Sequence, residues 1–185
     1  MAVVEPGKPA TDAQFLRRAY LDLTGVIPSP GEVRAFLADD KPNKRARLIE
    51  KLLDKPNHAT HLANAWRDVM LPRTNNNNQL QFGRTAVFDR WLRGHFVDNT
   101  PYDKIVRELL TTGGQVNQTG PVLYYTTLEL KPEKLAASTS EIFLGVQIQC
   151  AQCHDHPFDK WKQKDFWGYA AFFARLQQPA AQQRA

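Results

Sequence analysis

Thr11-Asp12-Ala13-Gln14-Phe15-Leu16-Arg17-Arg18-Ala19-Tyr20-Leu21-Asp22-Leu23-Thr24-Gly25 is a helix written out with its own start and stop. Thr11 and Gln14 stand three apart, the spacing of a capping box in which two otherwise orphaned backbone donors are satisfied reciprocally. Phe15, Leu16, Ala19, Tyr20 and Leu23 then recur at three- and four-residue intervals, one face of a helix. Gly25 follows, the residue that most readily takes the left-handed conformation that ends a helix. Read outward from this segment, the same grammar repeats and period-two alternation is nearly absent.

Ser29-Pro30-Gly31-Glu32 is a second box, with proline at the first helical position, leading into Val33, Phe36 and Leu37. Asn43 is placed to cap a third helix carrying Ala46, Leu48, Ile49, Leu52 and Leu53 and ended by Pro56. A fourth helix is expected over 57–71, up to Pro72, and a loop over 73–81 around Asn75-Asn76-Asn77-Asn78. Helix five is expected over 84–96, and helix six from Thr100-Pro101-Tyr102-Asp103 to just before Gly113-Gly114. From 115 to 130 the pattern fails, predicting irregular chain with a short extended piece over 122–126. Pro132 opens a helix running to Gly145, and a last helix is expected over 163–177. The fold class is all-α, a multi-helix domain of about eight helices spanning 1–185, with an Asn-rich loop near the middle. Residues 1–10 and 177–185 read as linker-like ends.

Composition narrows the function. The chain has 185 residues, 42% hydrophobic and 23% charged, within the range of ordinary globular proteins. No apolar run approaches the roughly 18 to 20 residues that span a bilayer, so no membrane span is expected. Net charge is +5, but the excess is divided almost evenly between the residues before and after Thr74. Phosphate neutralisation needs clustered charge, so a nucleic-acid partner is not expected. The start, Met1-Ala2-Val3-Val4-Glu5-Pro6, lacks the basic and apolar regions of a secretion signal. The chain is thus cytosolic or a trimmed segment of a longer exported one, and the linker-like Gln177-Gln178-Pro179 end favours trimming. There is no P-loop, nucleophile elbow or H-E-x-x-H pattern. Asn117-Gln118-Thr119 matches a glycosylation sequon, a three-residue pattern of little weight.

Both cysteines fall in Cys150-Ala151-Gln152-Cys153-His154, the C-x-x-C-H arrangement of covalent haem attachment. Two thiols one turn apart can add across the two vinyl groups on one porphyrin edge, and the adjoining histidine can then ligate the iron. Competing readings remain open. A dithiol redox pair normally sits in a βαβ setting, which the chain lacks. A zinc site from Cys150, Cys153, His154 and His156 would have to wrap one ion within seven residues, or draw on His58 and His61. Inert buried thiols are the third competitor.

Seven aromatic residues follow within 158–173. Phe166, Tyr169, Ala170, Phe173 and Leu176 share one helical face and read as ordinary core, while Trp167 lies off it and is the better candidate for touching a cofactor or neighbouring domain. Phe158 and Trp161 are further pocket candidates, and His156 reads as a supporting or structural group near the iron ligand. For a sixth iron ligand the candidates are Met70, His58 and His61, with an open position as the other outcome. Lys160, Lys162 and Lys164 read as a solvated surface, with steering of an acidic partner as the alternative.

Several stretches resemble one family. Phe15 to Gly25, Pro28-Ser29-Pro30 and Lys44-Arg45-Ala46-Arg47-Leu48-Ile49 look like the opening of the secreted cytochrome-like domain of planctomycete bacteria, which is classed as a domain of unknown function. Pro101-Tyr102-Asp103-Lys104-Ile105-Val106-Arg107-Glu108-Leu109-Leu110 is similar to its middle motif, and the run from Phe143 through Cys150 and His154 to Asp159 to its late one. The resemblance implies an exported, multidomain parent protein, periplasmic or in the cell envelope. It also implies one haem c, attached at Cys150 and Cys153 with His154 as axial ligand. The expected function is therefore electron transfer or redox relay, with a redox protein or a neighbouring domain of the same chain as partner. The alternatives are a non-enzymatic helical module with a zinc or inert thiol site and, third, a haem enzyme with an open sixth position.

Overall fold

In the computed structural model, residues 7–71, 79–115 and 118–176 are described, the side chains of 79–83 excepted. Among them are nine α-helices and no strand: α1 Asp12–Thr24, α2 Pro30–Leu37, α3 Lys44–Leu53, α4 Pro56–Met70, α5 Gln79–Val97, α6 Tyr102–Thr111, α7 Val122–Thr127, α8 Pro132–Thr139 and α9 Gln163–Ala170. Backbone contacts divide the chain into two compact units, Met1–Asn64 and Ala65–Ala185. The division falls inside α4.

In the first unit the helix ends follow their local signals. Thr11 and Gln14 form the reciprocal box at the start of α1, and Ser29 and Glu32 do so for α2. Gly25 closes α1 at φ 71°, its N–H donating to the Leu21 carbonyl at 3.0 Å. Leu16, Ala19, Tyr20, Phe36, Leu48 and Leu52 form the core. Fully burying an aliphatic side chain such as Leu16 or Leu52 contributes about 1.5–3 kcal/mol. Asn43 is a correction: it precedes α3 but makes no side-chain cap. The Lys44 and Arg45 side chains at that helix start instead pair with Asp12.

In the second unit Phe88, Leu92, Ile105, Leu109, Leu123, Tyr124 and Leu135 are buried. The segment 122–126, expected as extended, is helical. Leu123, Tyr124 and Tyr125 are all buried, and a short apolar run buried on several sides carries no periodicity by which strand and helix differ. The Tyr125 hydroxyl donates to the Leu109 carbonyl at 3.1 Å, and burial pushes its pKa up to about 12. Gly120 lets the chain entering α7 lie on α5: a Cβ there would come within 2.7 Å of Trp91 Cβ.

Other boundaries move. Helix α5 starts at Gln79, inside the expected loop, while the Asn75–Asn78 run and Asn117 of the sequon lie outside the described residues. The helix expected to run from Pro132 to Gly145 is α only to Thr139 and continues as a π turn over Ser140–Leu144 before Gly145 at φ 66°. The last helix ends at Ala170, followed by a 3-10 turn over Ala171–Phe173. Residues 177–185 of the linker-like end are outside the described residues.

Candidate functional site

Ser140, in the π turn, is buried, and its hydroxyl donates to the Val146 carbonyl at 2.7 Å, turning the chain at Gly145. The following residues form a 3-10 turn, Gln149–Gln152, with Cys153 just beyond it. Ala151 is fully buried in a cluster with Ala136, Ile148, Phe166 and Ala170. With Ala151 anchored inward, Cys150 and Cys153 on its two sides are exposed, and both thiols are free.

The turn is held from behind by α9. Gln163 Nε2 donates to the carbonyls of Gln152 at 3.3 Å and Cys153 at 3.2 Å. Trp167 Nε1 donates to the same Gln152 carbonyl at 3.1 Å. Asp155 accepts from the Gln163 backbone N–H at 3.0 Å and from Lys162 Nζ at 3.1 Å, and these bonds hold its carboxyl below the usual range. A carboxylate on the first N–H of a helix is the favourable end of the helix dipole.

The two histidines of the motif have opposite tautomers. His154 Nδ1 lies 2.7 Å from the Asp155 carbonyl. A carbonyl only accepts, so Nδ1 carries the proton and Nε2 keeps its lone pair. His156 Nδ1 accepts the Phe158 N–H at 3.3 Å, so a neutral His156 carries its proton on Nε2. The His156 backbone N–H donates to the Trp161 carbonyl at 2.8 Å, closing the loop. His154 thus keeps an Nε2 lone pair, and His156 shapes the loop.

Phe158 is 94% exposed and Trp167 45%. Phe166 and Ala170 are buried, with Tyr169 and Phe173 packed beside them, as expected from the sequence, but Leu176, expected on the same face, lies beyond the helix and is exposed. Trp161 is partly buried, and its Nε1–H is enclosed with no acceptor among the described residues. The remaining candidates divide by unit. His58 and His61 belong to the first, where His58 Nδ1–H donates to the Leu23 carbonyl at 2.8 Å and His61 packs on Gly25. Met70, 1% exposed, lies in the second and lines a cavity of about 550 Å³ with Val69, Leu128, Ile142 and Gln149. That cavity reaches the residue before Cys150 but is lined by neither cysteine nor by His154.

The donor set is chemically compatible with a covalently attached haem: two free exposed thiols on one short turn, an imidazole whose Nδ1–H is committed elsewhere, and exposed apolar surface beside them. Among the described residues no three His, Cys, Asp or Glu side chains converge in a way that could hold a metal ion. Sequence reasoning missed Asp155 and Gln163. Their partners lie seven to eleven residues along the chain, beyond any local motif.

A family model described as a protein of unknown function (DUF1549) matches residues 2–178. No curated protein and no solved structure matches the chain. Among the described residues no helix is long and apolar enough to cross a membrane.

Proposed function

The chain belongs to that family, PSCyt2, and on this premise we propose that it is a c-type haem domain that transfers or relays electrons within a larger exported protein. The single observation that carries the reading is the pair of free, exposed thiols beside His154, whose Nδ1–H is committed to the Asp155 carbonyl. When bound, the haem would supply one-electron chemistry at its iron.

The chain's own residues prepare for it. Cys150 and Cys153 would hold the porphyrin edge through thioethers, and His154 Nε2 would face the iron. The Nδ1–H bond to Asp155 fixes the imidazole's tautomer and raises its basicity. Gln163 and Trp167 keep the turn in place by occupying its last carbonyls. Phe158 and Trp167 would cover apolar porphyrin surface and exclude water from it. Planctomycete origin, export and a redox protein or neighbouring domain as partner belong to the same proposal. So does a sixth ligand drawn from Met70, His58 or His61, or an open position.

The test is expression with an export signal in a host that carries haem-attachment machinery. The expected result is a covalent mass increase of one haem and a haemochrome spectrum, lost in Cys150→Ser/Cys153→Ser. A well-folded chain of unmodified mass would overturn the reading. Spectra of Met70→Ala and His58→Ala then identify the sixth ligand, and no change in either rejects both.

A further inference from the structure

We infer that the Cys150–Cys153 pair, before any haem is attached, is a binding site for a soft monovalent cation, Cu(I), held as a two-coordinate bis-thiolate. Side chains three apart in 3-10 geometry eclipse one another. Cys150 lies in such a turn, and the Cys153 N–H reaches back to the Cys150 carbonyl at 3.5 Å. Both thiols are free and exposed, so the ion has access without unfolding of the turn. The turn is also prepaid in entropy, since Ala151 is buried beneath it and Gln163 and Trp167 hold its terminal carbonyls. Ordering a ligand set in advance removes a cost that a flexible Cys-x-x-Cys segment meets on binding.

The choice of ion follows from coordination number. Among the described residues no group of three or more His, Cys, Asp or Glu side chains is placed to hold a metal ion. His154 turns its Nδ1 side to the Asp155 carbonyl, and the Asp155 carboxylate is bonded to Gln163 and Lys162. Zn(II) requires four donors, while soft thiolates select Cu(I), for which two suffice. On binding, two S–H bonds break, two Cu–S bonds form, two protons pass to solvent and copper remains Cu(I). The sulfur lone pairs are then engaged, so a copper-loaded chain would not accept a vinyl group until the metal is removed. The binding step itself does not rest on the haem reading, because it uses the chain with free thiols.

The experiment is an anaerobic titration of the reduced 185-residue chain with Cu(I) buffered by a coloured bis-chelate. One equivalent should pass from chelator to protein, and X-ray absorption should show two sulfur neighbours and no nitrogen. Cys150→Ser and Cys153→Ser should each weaken binding by about a hundredfold or more. Alkylation of both thiols in the unmutated chain should abolish it, which keeps the result interpretable if a serine variant misfolds. Failure to compete for Cu(I), a copper–nitrogen shell, or tighter one-to-one binding of Zn(II) would each overturn the inference. If copper binds but haem never attaches in the host experiment above, only the haem reading falls. If haem attaches but copper is not bound, only this inference falls.

Discussion

His58 and His154 make the same hydrogen bond and put it to opposite uses. Each donates Nδ1–H to a backbone carbonyl, Leu23 at 2.8 Å in one case and Asp155 at 2.7 Å in the other. His58 is half-buried, and its acceptor lies 35 positions away near the end of α1, so the bond ties two helices of the first unit together. His154 is exposed, and its acceptor is the next residue, so its bond ties nothing together and orients only the ring. A histidine bonded across the fold supports structure. One bonded only to its own neighbour holds no two elements together.

The sharpest way to break this comparison is at Gly25, against which His61 packs. Gly25→Ala would hold an L-residue at φ 71° and bring a Cβ within 2.5 Å of His61 Nδ1. The expected loss is about 2–3 kcal/mol, read as a lower urea midpoint with the slope unchanged. His58→Ala should cost about 1–2 kcal/mol by leaving the Leu23 carbonyl without its donor. A cost near zero would mean that His58 is not the structural histidine of the pair.

Acid separates the two regions next. Glu32 accepts from the Ser29 N–H, the Ser29 hydroxyl and Lys55 Nζ, each at 2.9 Å. The Tyr20 hydroxyl adds the largest effect, and together they hold the Glu32 carboxyl far below its ordinary 4.5. A carboxyl whose folded value is depressed contributes stability above its unfolded value and loses it as pH falls toward the folded one. Thermal stability should therefore decline as pH drops below about 4.5. Glu32→Gln should flatten that decline; an unchanged acid limb would place the sensitivity elsewhere. Asp155 is also lowered, but its side chain is exposed and should add little. Smallest of all is His154→Ala in the haem-free chain. An exposed side chain bonded only to its neighbour should change stability by less than about 0.5 kcal/mol. A loss as large as that of His58→Ala would erase the distinction.

The parts of the fold legible beforehand are those whose physics is local. Thr11 with Gln14, Ser29 with Glu32, and Gly25 each act over three or four residues, and each end falls where its signal stands. Asn43 shows the limit: it is a good capping residue by type, yet its side chain makes no cap bond. The helix over Val122–Thr127 was not legible because burial on several sides leaves an apolar run with no period. Nor was the π turn at Ser140–Leu144, where the Ser140 hydroxyl bonds to a carbonyl six residues on.

The candidate site divides in the same way. Cys150, Cys153 and His154 were legible as a candidate site by spacing alone, because they form one contiguous C-x-x-C-H run. Their exposure, the His154 tautomer and the clamp of Asp155, Gln163 and Trp167 could not be read from spacing. They depend on which way a short turn faces, and burial of Ala151 against Phe166 and Ala170 decides that. By itself, then, the sequence determined an all-α chain and singled out one C-x-x-C-H segment, since caps, periodicity and such a run are short-range. Only the tertiary structure decided that His58 ties α4 to α1 while His154 bonds only to its own neighbour, because that depends on acceptors and packing far along the chain.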